Sequence, residues 1–169
     1  FLALVDLGDA ALSGASLLEK ESMDYIAISF SEADVTGEKG LQRALLFAEK
    51  LKDNEKGCRI LQRLASVFRE QGRYGIAKNT YTSMLKMYPA YPKNPVVESE
   101  LVKLLEREPA ENDINGMKRN IYEKYNRNSE WAKAQSEDIK READSIAQKH
   151  LYEAAIGYHQ NALQKNDSG

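Results

Sequence analysis

Residues 58–91 read CRILQRLASVFREQGRYGIAKNTYTSMLKMYPAY. Leu61, Leu64, Ala65 and Phe68 recur at i, i+3, i+4 and i+7, which places them on one face of a helix. Tyr74, Ala77, Tyr81 and Met84 form a second stripe at the same spacing. Gly72 lies between the two, where a left-handed cap costs little without a β-carbon. Pro89 ends the second helix because it has no N–H for the helical ladder. Small side chains at Ala65 and Ala77 let two antiparallel helices approach closely. The stretch therefore predicts a tight helical hairpin.

The order of small residues, aromatics, glycine and proline over residues 58–91 resembles a tetratricopeptide repeat. The resemblance implies an all-α fold, a right-handed superhelical solenoid of antiparallel helix hairpins. A single repeat cannot bury its faces alone and stacks on neighbours. A partial second copy is expected over about residues 136–169, from Ile139, Ala143, Ile146, Tyr152, Ala155, His159 and Ala162. There His150 stands where Gly72 stood, so the turn is looser or the two helices run on. Degenerate hairpins are expected over about residues 10–52 and 95–125, from periodicity. The whole chain, 1–169, is expected to be one repeat domain.

Composition fits this class. Apolar residues make up 42% and charged residues 30% of 169, in the range of a folded chain. A net charge of −2 supplies no general field for nucleic acid. No apolar run reaches 18 residues, so no membrane-inserted helix is expected. The start at Phe1, without methionine, reads as an excised domain or a processed form.

Chemistry-bearing motifs are sparse. His150 and His159 are nine apart, which does not match zinc-ligand spacing, and no metal site is expected. Cys58 lacks a nearby base and reads as a structural thiol. Thr36-Gly37-Glu38-Lys39-Gly40 lacks the ending of a phosphate-binding loop and reads as a turn, so no cofactor is expected. Carboxylates such as Glu137, Asp138, Glu142 and Asp144 alternate with Lys140 and Arg141, as on a solvated helix face. His159 is expected to pack in the repeat core. No catalytic set emerges, and the chain is expected not to be an enzyme.

The resemblance implies that the first helix of each repeat lines a peptide-binding groove. In the clear repeat the outward residues are Arg59, Gln62, Arg63, Ser66 and Arg69. Their arginines suit acidic side chains or a carboxylate. Family members that clamp chaperone tails carry asparagines at two of these positions, where this chain has Gln62 and Ser66. Chaperone tails are therefore not the expected ligand. Trp131-Ala132, Tyr152, Ala155, Tyr158-His159 and Ala162 are similar to repeat modules of outer-membrane assembly lipoproteins and periplasmic cell-division coordinators. That likeness implies a bacterial envelope setting, periplasmic rather than cytoplasmic. The expected function is a protein or peptide scaffold. The competing reading is self-association into a homo-oligomeric spacer through uncapped end repeats.

Overall fold

The computed structural model describes residues 9–51, 53–107 and 112–166, and among these it is helical between turns, with no strand. The helices are α1 (Asp9–Ser31), α2 (Glu38–Lys50), α3 (Asn54–Glu70), α4 (Tyr74–Met87), α5 (Asn94–Leu105), α6 (Ile114–Tyr125), the single turn α7 (Glu130–Lys133) and α8 (Glu137–Asn166). Residues 1–8, 52, 108–111 and 167–169 lie outside the described set. Packing divides the chain into residues 1–80 and 81–169, with the boundary inside α4.

In the first unit the decisive stripe behaves as its spacing requires. Leu61, Leu64, Ala65 and Phe68 are fully buried on α3, and so is Ala77 on α4. Each large apolar side chain removed from water contributes about 1.5–3 kcal/mol. Asp53 starts α3 by accepting from the N–H of Glu55 at 3.0 Å and of Lys56 at 3.1 Å. Gly72 ends it with φ 75°, while Arg73 N–H donates to Phe68 O at 2.8 Å and Gly72 N–H to Arg69 O at 3.0 Å. These are the paired bonds of a left-handed helix stop.

α1 packs on both α2 and α3, and α2 packs on α3. Asp24 of α1 meets Arg63 of α3 at 2.9 Å, and Glu19 meets Lys56 at 3.2 Å. The loop after α1 is closed by Asp34, whose carboxylate accepts from Gly37 N–H and, at 2.6 Å, from Lys39 N–H. Arg73, at the α3–α4 turn, reaches the same loop. It donates to Ser31 O at 2.8 Å and Asp34 O at 3.2 Å, and its guanidinium lies 4.7 Å over the Phe68 ring. A β-carbon at Gly40 would come within 2.0 Å of Phe30 O, so the first turn of α2 abuts the end of α1 only because that residue is glycine.

In the second unit α5, α6 and α8 pack on one another, and α7 packs on α6. Val102, Ile121, Tyr125 and Ala147 form its core, with Ile114, Met117, Tyr122 and Trp131 against them. Tyr125 meets Trp131 edge to face at 5.0 Å between ring centroids. Its hydroxyl donates to Glu98 Oε2 at 2.6 Å. Fully buried Asn94 donates to Tyr88 O at 2.8 Å and Pro89 O at 3.0 Å, fixing the proline-rich connection into α5. Asp113 caps α6 and Ser129 caps α7.

Where a second copy of the repeat was expected, the two helices run on as one, the second of the two expected alternatives. α8 runs without a break through His150, so the matching residues lie along one helix. Positive φ occurs only at Gly37 and Gly72 among the described residues. A histidine at the turn position does not favour that conformation, and His150 is instead buried in the helix against Ser99. The expectation of a core-packed His159 is likewise corrected, because the unturned helix carries it to an exposed position.

Candidate functional site

Three surfaces carry the chemistry of this chain: the α3 face, a charged cluster in the second unit, and the outer half of α8. On α3, the side chains of Arg59, Gln62, Arg63, Ser66 and Arg69 are all half-buried. Arg63 is engaged by Asp24 at 2.9 Å and Glu70 at 3.1 Å, so it braces α1 against α3. Ser66 Oγ donates to Gln62 O at 3.1 Å, a bond within the helix. Arg59 forms no ion pair among the described residues. Cys58, one residue before it, is fully buried, and burial followed by the Glu55 carboxylate pushes its thiol up to about 12. Such a thiol is inert at neutral pH.

The cluster was not singled out in the sequence. It joins Ser99 and Glu106 of the α5 segment, Lys118 of α6, and His150 and Glu153 of α8. Lys118 Nζ lies 2.6 Å from Glu106 Oε1 and 3.0 Å from Glu153 Oε2, with only 14% of its side chain exposed. Burial works against its charge, but the two carboxylates prevail and hold its pKa above the usual value. His150 Nε2 lies 2.8 Å from Ser99 Oγ. Its Nδ1 lies 3.7 Å from Glu153 Oε2. Burial, aided by Lys118 and Lys149, holds the imidazole pKa below its ordinary value despite Glu153 and Glu106. These groups wall a cavity of about 370 Å³ whose apolar lining is Val96, Val102 and Ile146.

Serine, histidine and carboxylate stand here in the order of a nucleophile, its base and the base's partner. The geometry does not support that chemistry. Ser99 Oγ also lies 2.7 Å from Pro95 O, to which it donates its proton, and 3.7 Å is too long for a hydrogen bond from Nδ1 to Glu153. Backbone N–H groups around Ser99 are taken up inside α5, so none is aimed at a developing oxyanion. No group of three or more His, Cys, Asp or Glu among the described residues is arranged to hold a metal ion.

The sequence held one signal for the cluster. Ala143, Ala147, His150 and Ala154 form a buried stripe at i, i+4, i+7 and i+11, in which a histidine interrupts alanines. Its partner Ser99 lies 51 residues away, beyond any local pattern.

On the outer half of α8, Tyr152 is 69% exposed and Leu163 51%, with Leu151, Ile156 and Tyr158 also exposed. In the first unit Leu17, Leu18 and Tyr25 are exposed on α1. No described helix is long and apolar enough to cross a membrane. Compared with known proteins, the chain matches no family model, no curated protein and no solved structure.

Proposed function

We propose that this chain is a tetratricopeptide-like solenoid module that holds a protein or peptide partner and catalyses nothing. The observation that carries the reading is the apolar face of α8. Tyr152, Ile156 and Leu163 recur at i, i+4 and i+11 on one side of the helix, and Leu151 and Tyr158, at i and i+7, lie on another, all exposed. Contiguous exposed apolar surface marks interaction sites more often than isolated exposed residues do. The half-buried α3 row of Arg59, Gln62, Arg63, Ser66 and Arg69 supplies a polar groove in the same reading, with Arg59 forming no ion pair among the described residues. A bacterial envelope assembly is the setting that the Trp131 and Tyr158-His159 likeness favours. Self-association is the second reading, supported by apolar exposure on both α1 and α8.

The test uses the full chain as bait in envelope and cytosolic extracts, beside Arg59→Glu/Arg69→Glu and Ile156→Glu/Leu163→Glu. A partner lost from the arginine variant places binding on α3. Loss from the α8 variant alone moves it there. A mass that rises with concentration in sedimentation, and falls back in the α8 variant, replaces an external partner with a second copy.

A further inference from the structure

Ser99 has one hydroxyl proton and two close neighbours. Pro95 O, at 2.7 Å, can only accept, so the proton goes there. The 2.8 Å contact to His150 then needs its proton on Nε2. Neutral His150 is thereby left with a bare lone pair at Nδ1. That atom is buried and has no hydrogen-bond partner, and a carboxylate oxygen, Glu153 Oε2, stands 3.7 Å away. Two acceptors facing each other lack the one thing that would join them, a proton. Nδ1 is closed to a ligand atom but not to a proton.

We infer that His150 is a proton-operated switch on the α6–α8 contact: protonated Nδ1 takes Glu153 Oε2 away from Lys118 and leaves Lys118 to Glu106. Both cations then compete for one oxygen, which Lys118 Nζ holds at 3.0 Å in the neutral state. The charged groups around the imidazole come from every helix packed on it. They are Glu100, Lys103 and Glu106 from the α5 segment, Lys118 from α6, and Lys149 and Glu153 from α8 itself. Three carboxylates balance three ammonium groups around the cavity, so one added proton turns its wall positive and frees a valence of Lys118 toward it.

The folded-state value of His150 lies below the ordinary 6.5. The stability it contributes is therefore fully present above pH 6.5 and is lost as pH falls through the folded value. Glu153 is also depressed: burial opposes this, but Lys118, His150 and Lys149 outweigh it. Its contribution is present above 4.5 and lost below, so on acidification the loss from the histidine begins at the higher pH.

Nitrogen NMR on the labelled full chain tests the switch. His150 is expected to keep Nε2 protonated throughout and to gain its second proton at Nδ1, with a midpoint below 6.5. The Lys118 ammonium resonance is expected to move with the same midpoint. Glu153→Gln lowers the His150 midpoint and Lys118→Met raises it, because one removes an attracting charge and the other a repelling one. A Lys118 resonance that ignores the His150 titration overturns the switch, as does an Nδ1 already protonated at neutral pH. Equal midpoints in both variants overturn it as well. Should Lys118→Met fail to fold by its amide spectrum at pH 7.5, the wild-type Lys118 response decides alone.

Discussion

Between Phe68 and Ala77 the chain turns at Gly72. Between Ile146 and Ala155, with the same spacing of apolar, small and aromatic residues, α8 goes straight through His150. Periodicity picks out the buried face of α3, Leu61, Leu64, Ala65 and Phe68; on α8 Ala143 is buried, but Ile139 and Ile146 are half-buried and the buried stripe continues through Ala147, His150 and Ala154. It does not state whether the helix stops between two faces. That depends on a residue that takes positive φ, which Gly72 does at 75° and His150, inside α8, does not. With no turn at His150, the last buried position is Ala154, and from Ala155 to Gln164 none is buried. Tyr81 is 1% exposed, whereas its counterpart His159 is exposed; Ala77 is fully buried, whereas its counterpart Ala155 is exposed.

Matched substitutions turn the contrast into numbers, read as urea unfolding midpoints. Tyr81→Ala is expected to cost about 3–5 kcal/mol, the range for a large aromatic removed from a core, and His159→Ala to stay within about 0.5 kcal/mol. Similar losses at the two positions would mean that α8 is covered as α4 is. Ala77→Trp should overpack its site by about 1–3 kcal/mol, while Ala155→Trp is expected to be near neutral. A tolerated tryptophan at Ala77 breaks the hairpin assignment. The smallest effect is at the turn. Gly72→Ala should cost about 1–2 kcal/mol through its positive φ, and Gly72→Asn less, since asparagine tolerates that conformation. An alanine there without cost would remove the reason offered for the divergence.

Much of the helical layout was legible because its signals are local. The Gly72 stop and the Pro89 exit each act within a few residues. The division of the chain inside α4 had no such signal. Nor did the Arg73 link to Ser31 and Asp34, which spans about forty residues and depends on how α1 ends. The His150 cluster was legible only as a histidine among alanines on α8, because its five members sit on three helices and its partner Ser99 lies 51 residues away. On α3 the sequence did not show that Arg63 would be held by Asp24, 39 residues away.

α8 is thirty residues long, about 45 Å at 1.5 Å per residue. Its buried residues, Ala143, Ala147, His150 and Ala154, all lie in its first eighteen positions. From Ala155 to Gln164 none is buried. A free peptide of that length would rarely be helical in water, because the first turn must be fixed before any bond rewards it. Here the packed half supplies that first turn, and the outer half needs only to be extended from it one bond at a time. Tyr152, Ile156 and Leu163 are thus held in helical register before anything touches them, and whatever settles on that face meets a template rather than a coil.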